Sequence, residues 1–364
     1  MSMATGTNRL PIAITMGDPA GIGPEIVVKA FRDAPALTRG CFVVGDLATL
    51  RAAQRLLTAP AGVSIPVASI EHPDEVLRLP PNCLPVLQAI APPEGVVTGQ
   101  VGAAAGKAAG DCVVWAARAA LAGQVSAIVT APLHKESLAA AGFAFPGHTE
   151  LLQAEAAAHL HRPVTEVPVR MMLANDEMRT VLVSIHMSLR DAIDAVRFDG
   201  VLATIRIAHQ ALGAALGRPP RIGVAGLNPH AGEGGLFGSE ERDIIAPAIA
   251  AARAEGIDAH GPYAPDTVFM RARTTPAQPG EFDVVIAMYH DQGLIPVKYL
   301  GVEKGVNVTL GLPLVRTSPD HGTAFDIAGT GRADASSLIE AIRMARALAP
   351  EALTGSDAQP LRGA

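Results

Sequence analysis

Three histidines in this 364-residue chain each stand just past a short apolar run of the length of a buried strand. They are His186, His230 and His290. A single histidine at a strand end is more often a satisfied structural residue than a ligand, but three in the same setting favour a shared role. Neutral imidazoles bind Zn²⁺, Co²⁺ and similar ions, and three protein ligands leave a position open for a substrate. The pattern predicts a divalent-metal site if the strands end at one edge, although spacing alone does not establish that the histidines meet.

A second group of residues has the chemistry to bind an anion. The segment Pro146–Glu150 opens a helix, where free backbone N–H groups attract negative charge and His148 stands beside them, although Thr149 could equally be only the helix cap. Arg316 follows the apolar run Leu310–Val315, which argues against simple surface exposure. Its planar fork of donors suits a phosphate or carboxylate. Further polar and cationic candidates precede it, namely Lys298, Lys304 and Asn307.

Two glycine-rich segments predict close approach of the backbone to a partner. Thr15–Glu25 follows an apolar strand and opens a helix, and its alternatives are a ligand-binding turn or a plain strand-to-helix turn. It lacks the GxGxxG spacing, so it does not indicate a Rossmann fingerprint. Asp320–Asp334 has the small residues of a loop pressed against a flat ligand, where Asp326 would accept hydrogen bonds from a ribose diol.

The elements that must position these residues alternate along the chain. Apolar runs predict buried strands, and three- and four-residue spacing predicts helices between them, an order typical of an α/β fold. The predicted strands are Ile12–Met16, Phe42–Val44, Ala127–Thr130, Val181–Ile185, Ile222–Ala225 and Val284–Met288. The predicted helices are Ala103–Ala122, Ala195–Leu216, Glu240–Glu255 and Ala335–Ala347. Thr58–Gly99 is rich in Pro and Ala and is predicted to be a surface excursion without a functional site.

Composition narrows the class of protein. Hydrophobic residues make up 49% and charged residues 18%, and the net charge of −6 offers no basic field for a nucleic acid. No apolar run approaches the roughly 20 residues of a membrane span, and no targeting segment is apparent, so we expect a cytoplasmic protein. Three scattered cysteines fit neither a disulfide framework nor a metal knuckle. Residues 1–8 and 355–364 have the composition of tails.

The motifs around these residues resemble those of the 4-hydroxythreonine-4-phosphate dehydrogenase family of vitamin B6 biosynthesis. The resemblance runs from about Leu10 to Leu348 and rests on TMGDPAGIGPEI, TAPLHK, PGHTE, GLNPHAGEGG, AMYHDQG, GVNVTLGLP and RTSPDHGTAFDIAGTG. The family is similar in fold to isocitrate and isopropylmalate dehydrogenases. The resemblance implies two α/β/α domains with an interdomain cleft, residues 9–145 with 310–350 and residues 146–309, in a homodimer that shares its site between subunits.

The resemblance also implies roles for individual residues. The metal ligands would be His186, His230 and His290, with Zn, Mg or Co as the ion. The implied substrate-binding residues are His148, Thr149, Lys298, Asn307 and Arg316, and the implied cofactor-binding residues are His321, Gly322, Thr323 and Asp326. An acid at Asp326 goes with NAD rather than NADP, although NADP stays open. Asp266 and Asp291 are candidate catalytic residues that orient a ligand or remove a proton.

The activity implied is oxidation of 4-phosphohydroxy-L-threonine at C3 to 2-amino-3-oxo-4-phosphooxybutanoate, which loses CO₂ to give 3-amino-2-oxopropyl phosphate. Within the family the alternative substrates are 4-phospho-D-threonate and D-erythronate, or an aromatic dihydrodiol, against which the retained phosphate donors argue. Outside it, a three-histidine metal hydrolase would leave the Asp326 loop unexplained. A non-catalytic phosphate-binding module would need no metal.

Overall fold

The computed structural model of the chain describes residues 10–58 and 64–349. Its strands are β1 Ile12–Thr15, β2 Cys41–Val44, β3 Val67–Ile70, β4 Leu84–Leu87, β5 Ala127–Thr130, β6 Arg170–Ala174, β7 Arg179–Leu182, β8 Ile222–Ala225, β9 Ala259–Tyr263, β10 Val284–Ala287, β11 Val306–Leu310 and β12 Arg316–Pro319. All belong to one sheet with the order β3-β4-β2-β1-β5-β12-β11-β6-β7-β10-β8-β9.

The sheet has two parallel halves that meet at an antiparallel centre. At one end the strands β3, β4, β2, β1, β5 and β12 pair in parallel, in that order. At the other end β7, β10, β8 and β9 also pair in parallel. Between them β11 runs antiparallel to both β12 and β6, and β6 runs antiparallel to β7. β12 therefore belongs to the half that contains β1, and β11 belongs to the other half.

Helices cover the sheet, as a parallel sheet requires when its strands are apolar on both faces. They are α1 Gly23–Asp33, α2 Pro35–Thr38, α3 Leu47–Thr58, α4 Ala103–Leu121, α5 Lys135–Ala140, α6 His148–Leu160, α7 Leu189–Asp194, α8 Phe198–Leu216, α9 Ala246–Ala254, α10 Pro265–Ala272, α11 His290–Tyr299 and α12 Ser336–Leu348. All four residues of β1, β2, β5, β8 and β10 are buried. Among the described residues no helix has both the length and the apolar character to cross a bilayer.

The mixed α/β class and the six predicted strands are confirmed, with bounds that differ by up to three residues. The four predicted helices are also present, but Glu240–Glu255 divides into a π-helical turn, Glu241–Ile245, and α9. The prediction that Thr58–Gly99 is a surface excursion is wrong, because β4 is buried and lies between β2 and β3 in the sheet. Pro85 within this short strand interrupts the apolar run and hides it from a periodicity argument. The predicted tails lie outside the described residues.

Candidate active site

A cavity of about 370 Å³ lies where the two halves of the sheet meet. Its walls come from the end of β5, the start of α6, the central strands β6, β11 and β12, and the loops that follow β7 and β12. Seven of the residues predicted from the sequence line this one cavity: His148, Thr149, His186, Asn307, Arg316, His321 and Gly322. The structure thus brings most of the predicted substrate-binding residues together with one predicted metal ligand and the start of the predicted cofactor loop.

Arg316 is the buried cation of this cavity. Its side chain is only 3% exposed, and burial lowers the pKa of the guanidinium to about 10 while the charge of Glu150 opposes that shift. Nε and Nη2 donate to Thr130 Oγ1 at 3.1 and 2.8 Å, and Nη1 donates to Thr309 Oγ1 at 3.0 Å. It forms no salt bridge with any carboxylate of the described residues. Because a buried charge without a counter-ion is costly, this arrangement suits an anionic ligand.

His148 is the first residue of α6 and stands next to that cation. Its Nε2 is buried without a hydrogen-bond partner in the described chain. Burial and then the charge of Arg316 hold the pKa of His148 well below its ordinary value, so the imidazole is neutral. Gly147 precedes the helix, and within the described chain no side chain caps its first turn. The alternative in which Thr149 is the cap is therefore wrong, and the N–H groups of the first turn stay available to a ligand.

The three predicted metal ligands follow strands that are adjacent and parallel. His186 follows β7, His290 follows β10 and His230 follows β8, and these strands stand in the order β7-β10-β8. The rings of His186 and His290 lie 5.7 Å apart between centroids. Partial burial, His290 and Lys135 lower the pKa of His186, and Glu150 opposes them. The neutral imidazole is the form of a histidine that binds a cation.

His230 lies in a backbone turn of unusual conformation. Residues 230–235 all have positive φ, which His230, Ala231 and Glu233 adopt at a cost in strain. The carboxylate of Glu241 anchors the start of this segment, because Oε1 accepts the N–H groups of Leu227 and Asn228 at 2.7 Å each. Burial alone would raise the pKa of Glu241, but the hydrogen bonds from Asn228 and Leu227 lower it.

Within residues 10–58 and 64–349 of one chain, no three His, Cys, Asp or Glu side chains are arranged to hold a metal ion. The triad of His186, His230 and His290 therefore stays a prediction. The predicted catalytic acids lie beside its members. His290 Nδ1 and Asp291 Oδ1 are 2.7 Å apart, and exposed Asp266 is in the first turn of α10, which packs against the His230 turn.

The predicted cofactor loop borders the cavity and packs against the segment that follows β1. His321 and Gly322 line the cavity, the carbonyl of buried Thr323 accepts the N–H of Ile22 at 3.0 Å, and Asp326 is exposed. An exposed carboxylate on a loop at the cavity rim fits a ribose diol.

Lys298 departs from the predicted set. Its ammonium forms a 2.7 Å salt bridge with Asp320, and Asp320 rather than Lys298 lines the cavity. Sequence reasoning also missed Thr130 and Thr309, which orient Arg316, and Glu241, which anchors the His230 turn. Thr309 alternates with Asn307 along β11, so a two-residue periodicity could have placed both on the face of the cavity.

Comparison with known proteins places the chain in a family. The family model described as pyridoxal phosphate biosynthetic protein PdxA matches residues 38–345. A 4-hydroxythreonine-4-phosphate dehydrogenase of Beijerinckia indica is 54% identical over 90% of this chain and 92% of its own length. A D-threonate 4-phosphate dehydrogenase of Salmonella typhimurium is 47% identical over 93% of this chain and 98% of its own length.

A solved structure extends the likeness to three dimensions. The crystal structure of a 4-hydroxythreonine-4-phosphate dehydrogenase from Klebsiella pneumoniae has a TM-score of 0.81 and 43% identity, and it covers 93% of this chain and 99% of its own. The resemblance drawn from the motifs is thereby confirmed. The chain is an oxidoreductase that belongs to the PdxA family of pyridoxal phosphate biosynthetic proteins.

Proposed function

We propose that this enzyme oxidises 4-phosphohydroxy-L-threonine at C3, with NAD as the hydride acceptor and a divalent metal ion at the reacting oxygen. The product, 2-amino-3-oxo-4-phosphooxybutanoate, is a β-keto acid that loses CO₂ to give 3-amino-2-oxopropyl phosphate. The observation that carries the proposal is the buried, carboxylate-free guanidinium of Arg316 in a cavity that also contains His148, Thr149 and Asn307. A small phosphorylated acid supplies the directly bound anionic partner that Arg316 lacks among the described residues.

The phosphate end of the substrate binds at the start of α6 in this proposal. Arg316 offers the two N–H groups that its threonine partners leave free, and Thr149 and the first-turn amides add donors. His148, held neutral, presents Nε2 without changing the net charge. Asn307 on β11 supplies an amide that can donate or accept. Lys298 acts through Asp320 rather than directly, because the two are already paired.

The residues at the metal and cofactor positions fit the groups proposed for them. His186, His230 and His290 would hold Zn, Mg or Co, which lowers the pKa of a bound hydroxyl when present. Asp291 orients the imidazole of His290 through Nδ1, and Asp266 is the candidate to take the hydroxyl proton. His321, Gly322, Thr323 and Asp326 would hold NAD, the hydride acceptor. The carboxylate of Asp326 accepts hydrogen bonds from a ribose diol and repels a 2′-phosphate, which disfavours NADP.

We further propose a homodimer in which a second copy completes the site. Exposed large apolar side chains follow each of the three histidines, and Met270 adds another on α10. The group comprises Met187, Leu189, Leu236, Phe237, Met270, Ile295 and Tyr299, with exposures from 46% to 90%. Exposed apolar side chains concentrated around polar site residues are typical of an interface. The antiparallel centre of the sheet also supports the two domains expected above, residues 9–145 with 310–350 and residues 146–309.

A substrate panel tests the proposal and separates it from the second candidate, 4-phospho-D-threonate, which the Salmonella relative supports. NADH formation is measured with 4-phosphohydroxy-L-threonine, 4-phospho-D-threonate and 4-phospho-D-erythronate, with NAD or NADP, before and after chelation. We expect chelation to abolish activity and metal to restore it. Activity with the two non-amino substrates alone would transfer the assignment to the second candidate. Full activity of chelated His230→Ala enzyme would contradict the metal site.

A further inference from the structure

Two side chains of helix α1 form hydrogen bonds with residues 329–333, the C-terminal end of the predicted cofactor loop. The carboxylate of Glu25, 3% exposed, accepts the backbone N–H groups of Gly329 at 2.5 Å and Gly331 at 2.9 Å. One turn further along the helix, Lys29 Nζ donates to the carbonyl of Gly331 at 2.8 Å and to that of Ala333. An acceptor and a donor four residues apart on one helix face thus bind opposite polar groups of the same five-residue stretch.

Residues 329–333 have a backbone conformation that leaves N–H groups in need of acceptors. Gly329 and Gly331 have φ of +76° and +71°, and N–H groups in such left-handed turns converge into a concavity that binds anions. Here a carboxylate of the chain occupies that concavity. Because Glu25 is buried, its two hydrogen bonds are shielded from competing water.

The near end of the loop is fixed by the same part of the chain. Ile22 N–H donates to the carbonyl of Thr323, and a Cβ added at Gly21 would lie 2.9 Å from Thr323 atoms. Phe325 stacks on His134 with centroids 4.8 Å apart. Asp326 lies between the two fixed ends and stays exposed. The glycine-rich segment Thr15–Glu25 therefore packs against the predicted cofactor loop through its residues 21–22.

We propose that Glu25 and Lys29 are positioning residues that hold the loop from His321 to Ala333 in its dinucleotide-binding conformation before the dinucleotide arrives. The proposal rests on the proposed function, because the ligand of the loop is the NAD proposed there. A loop that is already ordered spares cofactor binding the entropy of ordering several residues. Glu25 and Lys29 contact the loop at residues 329–333 and not at His321 or Gly322, which line the substrate cavity, so loss of either contact weakens NAD binding more than substrate binding.

Hydrogen–deuterium exchange of the ligand-free protein tests directly whether Glu25 and Lys29 order the loop. In Glu25→Gln and in Lys29→Met, we expect amides of residues 321–333 to exchange about tenfold faster than in the wild type, the effect of losing one or two hydrogen bonds. Lys29→Arg keeps a donor and is expected to recover most of the protection. Lys107→Met is the matched control, because Lys107 forms an exposed helical pair with Asp111 and has no hydrogen bond or salt bridge to the described residues of the loop, so exchange there should not change.

Binding measurements complete the test. We expect the Kd for NAD to rise about tenfold in Glu25→Gln and Lys29→Met, while the Kd for 4-phosphohydroxy-L-threonine stays within twofold. If Glu25→Gln fails to fold, Lys29→Met and its Arg rescue carry the comparison. Unchanged exchange in the loop would overturn the proposal, and so would faster exchange with an unchanged Kd for NAD. Failure of the wild type to bind either NAD or NADP would instead refute the proposed function. The exchange data would still show whether Glu25 and Lys29 order residues 321–333.

Discussion

Arg316→Met should separate the recognition of phosphate from the stability of the fold. A guanidinium has five N–H groups, of which three are bound to Thr130 and Thr309, so two remain for the ligand. Each hydrogen bond to a charged group contributes about 1.5–3 kcal/mol, so the loss of two costs about 3–6 kcal/mol. At about 1.4 kcal/mol per tenfold change, the Kd for 4-phosphohydroxy-L-threonine should rise about 10²- to 10⁴-fold.

Isothermal titration calorimetry at fixed salt gives that Kd, and two comparisons assign the loss to the phosphate. Unphosphorylated 4-hydroxy-L-threonine should bind wild type and variant alike, since it lacks the group that Arg316 contacts. Thr309→Val removes one orienting hydrogen bond and leaves the charge in place, so it should weaken phosphate binding only about fivefold.

The stability of ligand-free Arg316→Met is the second half of the prediction. A buried cation without a carboxylate partner gains little from folding, and its replacement by an apolar side chain of similar length is expected to leave the midpoint of urea unfolding unchanged or higher. A rise in Kd below threefold, an equal loss for both ligands, or a large drop in the unfolding midpoint would refute the assignment of Arg316 to the phosphate.

Three further outcomes follow from the site. The pKa of His148 is lower in the folded than in the unfolded chain. The neutral imidazole therefore contributes to the free energy of unfolding above the ordinary pKa of 6.5, and this contribution is lost as the pH falls from there towards the folded pKa. His148→Gln should therefore lose less stability than the wild type between pH 7.5 and 5, by up to about 1.4 kcal/mol per pH unit in urea unfolding. Glu241→Gln should lower the free energy of unfolding by about 2 kcal/mol and speed amide exchange in residues 227–236, because two backbone donors lose a charged acceptor; unchanged exchange there would contradict the anchoring role. Asp326→Ser should reduce the ratio of kcat/KM for NAD over NADP, and an unaltered ratio would remove Asp326 from the ribose site.

Most of the strands that the sequence predicts are buried and apolar on both faces. β1, β5, β8 and β10 are such strands, and the adjacency of β7, β10 and β8 follows the expectation that their ends share an edge. β12 is equally buried, yet its residues are Arg, Thr, Ser and Pro, because one of its faces forms the cavity wall. A hydrophobicity pattern cannot detect a strand whose burial serves a polar site.

In the candidate site, too, the sequence predicts some residues, whereas others are identified only by their tertiary contacts. Residue type and motif predict Arg316, His148 and Asn307 as site residues, and the structure places them in one cavity. The pairing of Lys298 with Asp320 depends on a contact between α11 and the loop after β12, which spacing does not encode. The acceptors that hold the backbone, Glu25 and Glu241, stand in helical segments and resemble ordinary surface acids in the sequence, although both are buried.

The hairpin of β11 and β12 constrains how this enzyme can change in evolution. Asn307 and Thr309 alternate along one strand, and Arg316 and Ser318 alternate along the other, so all four side chains line the cavity. A single-residue insertion or deletion within either strand would shift its register by one residue. The side chains of the other face, including that of Val308, would then point into the cavity. Length changes between the two strands, in residues 311–315, leave both alternations intact. Natural variation in this hairpin should therefore gather in the turn, while the strands tolerate substitution but not a change in length.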